Sequence, residues 1–202
     1  MSDLAVLQAV RLKGRADAAA VARCTGTTEE QAATQIAVLV DAGLLKGGPS
    51  ARITPEGRSR LEELTGEERQ TLDAAALERI YEAFHGPNDT LKSIMTSWQM
   101  KDAETPNDHS DEEYDSAVVQ RVLALDEQFR PVLAQAIDAV PRLAPYQARF
   151  DHAVEQLRTG DTSYVARPIM DSYHTVWFEL HEELIGLLGR DRTAEALAGR
   201  AV

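Results

Sequence analysis

The residue types best suited to chemistry gather near the end of the chain, in the stretch MDSYHTVWFELHEELIGLLG from Met170 to Gly189. Asp171, His174 and His181 stand there at i, i+3 and i+10. On a helix, Asp171 and His174 share a face and can chelate a divalent metal, with His109 or His152 from another helix as a further ligand. His174 and His181 lie two turns apart, ~10 Å along the axis, too far to chelate one ion directly. Histidine and carboxylate ligands suit zinc, iron, manganese or nickel. The plain alternative is that these histidines are core residues hydrogen-bonded to a carboxylate such as Glu179 or Glu182, because the same helix carries Tyr173, Val176, Trp177, Phe178, Leu180 and Leu184.

A second set could bind a small molecule. Aromatic residues are only 5% of the chain, yet Trp98, Tyr114, Tyr146, Tyr173 and Trp177 all fall in its second part. Trp98, Tyr146, Tyr173 and Trp177 can line a pocket, with Arg142 or Arg149 holding an anionic effector. An acidic cluster runs from Asn107 to Asp115. It reads as a helix start capped by Ser110, with Glu113 completing the box, or as a polar site in which Asp108, His109 and Asp111 face a pocket. Cys24, the single cysteine, reads as a packing residue. No Gly-x-Ser-x-Gly, phosphate loop, Gly-x-Gly-x-x-Gly or His-Glu-x-x-His motif occurs, so no familiar enzyme class is indicated.

These residues need elements to position them. The 202 residues contain 44% hydrophobic and 27% charged residues, which are globular values that exclude disorder of the whole chain. No apolar run reaches membrane-helix length. With no basic leader at Met1-Ser2-Asp3 and one cysteine, the expected compartment is the cytoplasm. The net charge is −12. Residues 1–65 are balanced, with eight basic and eight acidic residues. The whole acidic excess therefore lies beyond them, which predicts two parts with different tasks.

In the first part, Ser2 caps a helix carrying Leu4, Leu7 and Val10, and a second short helix follows Asp17. A capping box of Thr27 and Glu30 opens a third, which ends at Gly43. Leu44–Lys46 and Ala51–Ile53 read as two short strands around Gly47-Gly48-Pro49-Ser50. Thr54-Pro55 then opens a fourth helix. The second part is helical by period. Gly86-Pro87 is expected to break its first helix, Pro131 to kink or split a long helix over 111–140, and Thr193 to open a terminal helix. The linker is expected near 65–68. The fold class is thus mainly α: an N-terminal winged helix with a small β-ribbon over 1–66, then an acidic helical bundle over 70–202.

The segment VLVDAGLLKGGPSARITPEGRSRLEEL, Val38 to Leu64, resembles the DNA-binding domain of MarR-like winged helix-turn-helix regulators. The resemblance implies a transcriptional regulator that binds DNA as a homodimer, with the bundle dimerising or sensing an effector. Gln31, Thr34 and Gln35 would meet base edges. Arg11, Lys13, Arg15, Lys46, Arg52 and Arg58 would anchor phosphates. The recognition helix itself carries no Lys or Arg and opens on Glu29-Glu30. That pattern suits a rival reading, an adaptor or accessory protein using the winged helix for protein contacts. YEAFHGPNDTLKSIMTSWQ and DSYHTVWFELHEELI are similar to helical tails of actinobacterial pyruvate phosphate dikinase-like proteins, which again implies an accessory part. HAVEQLRTGD together with MDSYH is similar to FCD-type bundles of GntR-like regulators, implying metal ligation by His152 and His174. The Gly-Asp sits two residues early for that family, and its upstream Asp-x-x-x-His element is missing. A third reading, a small metal-dependent enzyme in the bundle, rests on His109, Asp171, His174 and His181.

Overall fold

The computed structural model describes residues 1–190. The chain is mainly helical, with eight α-helices and one two-stranded ribbon among the described residues. Its first elements are α1 (Asp3–Lys13), α2 (Ala18–Thr25) and α3 (Glu29–Asp41), then β1 (Leu45–Lys46) and β2 (Arg52–Ile53), then α4 (Pro55–Arg69). Each helix starts on a side chain that satisfies an orphan N–H: Ser2, Asp17, Thr28 and Thr54 in turn. The box on α3 is Thr28 with Gln31, one residue later than the spacing of Thr27 and Glu30 predicts. β1 and β2 pair antiparallel, Leu45 opposite Ile53 and Lys46 opposite Arg52. An isolated bridge from Ala16 to Ala51 ties the α1–α2 turn to the ribbon. Val6, Leu7, Val10, Val21, Ala32, Leu39, Leu45 and Leu61 form one buried cluster inside this unit.

The second cluster lies among α5 (Ala74–Gln99), α6 (Glu112–Ala139), α7 (Pro145–Arg158) and α8 (Tyr173–Leu187). α5 and α6 run antiparallel, since Arg121 reaches Ser97 while Phe129 packs on Phe84 nearer the start of α5. Trp177 on α8 is fully buried against Phe84, Phe129 and Phe150. Its indole N–H donates to Asn88 Oδ1 at 3.0 Å, so a polar group deep in the core is satisfied.

Neither proline divides its helix. Pro87 sits inside α5 and Pro131 inside α6. Each removes one intrahelical donor, but the residues four before them, Ala83 and Glu127, are exposed, so water can satisfy the freed carbonyls. Packing holds α5 together: Leu77, Ile80 and Phe84 before Pro87 and Leu91 and Ile94 after it are all buried in the same cluster. The cap of α6 is Asp111, which accepts the Tyr114 N–H at 3.0 Å, while Ser110 is turned to Asp108. The turn between the two units falls at 70–73, because α4 continues through the expected linker to Arg69. The terminal helix expected from Thr193 lies outside the described residues.

Two glycines of α4 have opposite surroundings. A Cβ on Gly57 would overlap the Leu44 carbonyl oxygen, whereas one on Gly66 would make an ordinary contact with Arg69. Gly57→Ala should therefore cost about 1–3 kcal/mol by forcing α4 off the ribbon. Gly66→Ala should stabilise by up to about 1 kcal/mol. Urea unfolding midpoints of the two variants will separate in opposite directions from the parent.

Candidate functional site

The two units meet along a seam built largely from charged side chains. Glu179, Glu182 and Glu183 stand at i, i+3 and i+4 on α8, so they share one face of the helix. Cations from the N-terminal unit meet that face. Lys13, the last residue of α1, reaches Asp171 Oδ1 at 2.5 Å and Glu179 Oε1 at 2.8 Å. Arg149 of α7 reaches the same two carboxylates, at 3.0 and 2.6 Å. Two cations and two anions thus alternate in one knot, with side-chain exposures of 14% for Lys13, 4% for Arg149, 8% for Asp171 and 2% for Glu179. Arg23 approaches Asp171 at 3.6 Å and Arg11 approaches Glu182 at 3.5 Å. A second knot lies alongside: Arg142 donates to Glu68 of α4 at 2.7 Å and to Glu183 of α8 at 2.7 Å.

Burial penalises each of these charges, and the pairing reverses the penalty. Burial alone would raise the Asp171 carboxyl, but the Arg149 guanidinium and the Lys13 ammonium hold it well below the usual carboxylate range. Burial likewise opposes the charges on Lys13, Arg142 and Arg149, and their carboxylate partners push all three above their ordinary values. Lys13, Arg149 and Asp171 therefore stay ionised at neutral pH.

A cleft of about 500 Å³ opens beside the knots, lined by Gln8, Cys24, Arg142, Tyr146, Arg149 and Glu183 among others. Both units contribute to its walls. Gly26 turns the chain there at φ 66°, and a Cβ on it would press on Pro145 at 3.2 Å. Tyr146 is buried there, with the Arg149 guanidinium over its ring at 5.1 Å from the centroid. Cys24 is pushed up to about 11, chiefly by burial. It stays a thiol at neutral pH, without the thiolate that oxidation chemistry uses. The cleft offers donors and acceptors of both charges, which suits a small polar molecule bridging the two units.

Of the five expected effector residues, the structure brings only Arg142 and Tyr146 to this cleft. Trp98 lies elsewhere, packed on His109. Tyr173 and Trp177 are sealed in the core at 0% exposure, because the large aromatic rings of this cluster pack on one another. The expected metal ligands are scattered. Asp171 is consumed by the seam. His181 is buried beside the Tyr81 hydroxyl at 3.2 Å, and so is satisfied by a phenol. His174 is partly buried, which lowers its pKa. His109 contacts Asp115, and His152 contacts Tyr164. Among the described residues no group of three or more His, Cys, Asp or Glu side chains is placed to share an ion.

The expected DNA contacts divide as well. Arg11 and Lys13 belong to the seam. Gln31 is spent on the α3 cap, Thr34 bonds the Glu30 carbonyl, and Gln35 donates to Asp3 at 2.6 Å. Arg15, Lys46, Arg52 and Arg58 are exposed. Glu68, Glu183 and Gln8 went unrecognised in the sequence. The signal for the acids was present: three glutamates on one face of an apolar helix need a cationic neighbour.

Lys13→Met should destabilise the fold by about 3–5 kcal/mol, because Asp171 and Glu179 lose one of their two principal cations. Asp171 has a folded pKa below its unfolded value. Its contribution is therefore present above about pH 4 and is lost as pH falls through the folded value. Denaturant midpoints measured between pH 2 and 5 should fall with acid in the parent, and less steeply in Lys13→Met. Among the described residues, no helix is long and apolar enough to cross a membrane. Compared with known proteins, the chain matches no protein-family model, and neither a curated protein nor a solved structure shows significant similarity to it.

Proposed function

We propose that this protein is an accessory or adaptor protein, in which a winged helix held on an acidic helical bundle meets a partner protein. The order of three helices, ribbon and closing helix, with the Ala16–Ala51 bridge, supports the winged-helix reading. The observation that carries the functional reading is the outward face of α3. It presents Glu29, Glu30, Ala33, Ala37, Val38 and Asp41 to solvent, with Val38 53% exposed and no cation. Three acids around a small apolar centre repel a phosphate backbone and fit a protein surface. The cleft at the seam would let a small molecule adjust how the two units are held.

A DNA-binding regulator is the second reading, favoured by one observation. Arg15, Lys46, Arg52 and Arg58 are exposed and make no ion pair within the described residues, with Lys46 directly opposite Arg52 on the ribbon. Contact would then be led by the ribbon and its phosphate anchors, with α3 contributing little.

A salt series with genomic DNA fragments from the gene's own neighbourhood distinguishes the readings. The adaptor reading expects no sequence-specific retention at any salt concentration. Specific retention that weakens with salt and disappears in Arg52→Ala would replace it with the regulator. On the positive side, a partner captured by the parent should be lost by Val38→Arg and kept by Arg52→Ala.

A further inference from the structure

We propose that the cleft around His109 is a binding site for a small oxyanion, the phosphate or carboxylate head of a soluble molecule. The loop from α5 to α6 is tied down along its length. Lys101 N–H donates to the Thr105 carbonyl and Asn107 N–H to the Gln99 carbonyl, each at 2.8 Å. Asp102 accepts the N–H groups of Glu104 and Thr105, both at 2.9 Å. This loop holds His109 at φ 58°, a conformation few side chains adopt.

The histidine is oriented as well as held. Asn107 is buried and spends its two amide hydrogens on the Trp98 carbonyl at 3.2 Å and on Asp115 Oδ1 at 2.7 Å. The same amide nitrogen lies 3.2 Å from His109 Nδ1. A carboxylate oxygen accepts, so the 2.9 Å contact between His109 Nδ1 and Asp115 Oδ2 is donated by the ring. That puts the hydrogen of the neutral ring on Nδ1, so Nε2, without a partner among the described residues, donates only in the imidazolium. The ring lies on Trp98 with centroids 4.4 Å apart, and the side chain remains 44% exposed.

Across the cleft, of about 600 Å³, stand Thr162, Ser163 and Arg167. Arg167 makes no ion pair within the described residues. The neighbouring Asp161 is occupied by the Ser163 hydroxyl at 2.6 Å, and Asp115 by Asn107 and His109. A free guanidinium and an imidazole with one nitrogen fixed in place then share one cavity, on a chain whose net charge is −12. The guanidinium donates to an anionic oxygen, and so does the imidazolium through Nε2, its other hydrogen being committed to Asp115. A histidine aimed this way adds little to stability at such exposure, but it does add geometry for a ligand.

The test is a titration of protein labelled at histidine with inorganic phosphate and, separately, acetate, at fixed ionic strength and about pH 6.5, near the ordinary histidine pKa. A saturable shift of the His109 ring resonances, with His152 unmoved, is expected for at least one anion. Saturation by phosphate alone identifies a phosphate head, by acetate alone a carboxylate, and by both a general oxyanion site. Arg167→Gln and His109→Gln should each weaken binding by about tenfold or more. Asp115→Asn should weaken it by releasing the ring. Arg167 is exposed, so its variant folds even where Asp115→Asn does not. Non-saturating shifts with both anions, or unchanged affinity in Arg167→Gln, would overturn the proposal.

Discussion

Lys13 and Arg149 facing Asp171 and Glu179 set the constraint on which the arrangement of this protein depends. Each charge is buried, and none is tolerable there without the others. Two of the four come from elements that end or begin at the seam, Lys13 at the last turn of α1 and Asp171 just before α8. The relative placement of the two hydrophobic clusters is therefore fixed by groups that would be costly in any other arrangement. Apolar contacts alone would hold the units with less angular preference, since burial of apolar surface is non-directional. Arg142 repeats the device between Glu68 and Glu183.

This constraint also decides what the rest of the molecule can do. Cations used to lock the units are unavailable to phosphates, whereas Arg15, Lys46, Arg52 and Arg58 near the ribbon stay exposed. The outward face of α3 keeps its acids and its apolar centre. The knots leave a cleft with walls from both units, and a ligand there would be read by both at once.

The helices from α5 to α8 place their polar groups by the same economy. Trp177, Asn88, Tyr81 and His181 satisfy one another inside the core. His109 is the contrasting case. It is held in a strained backbone conformation at the surface, and its buried partners Asn107 and Asp115 orient it toward open space. Strain without an internal beneficiary points outward.

The sequence by itself determined the local elements. Thr54-Pro55 opened α4, Ser2 and Asp17 capped α1 and α2, and the turn from Gly47 to Ser50 separated two strands, because capping and turn chemistry act within a few residues. It also showed the charge asymmetry between the first 65 residues and the rest. What it left undecided was every question of partnership. Pro87 and Pro131 have strong local propensity to break a helix, and long-range packing on both sides overrode it. Asp171 and His174 have chelating spacing, yet Lys13, 158 residues away, claims the carboxylate. Trp177 and Tyr173 look like a pocket lining in one dimension and are core in three. A residue's type limits what it can do, but its neighbours across the fold decide which of those chemistries remains open. Those neighbours are set by the packing of two cores against a charged seam, which no local window of sequence contains.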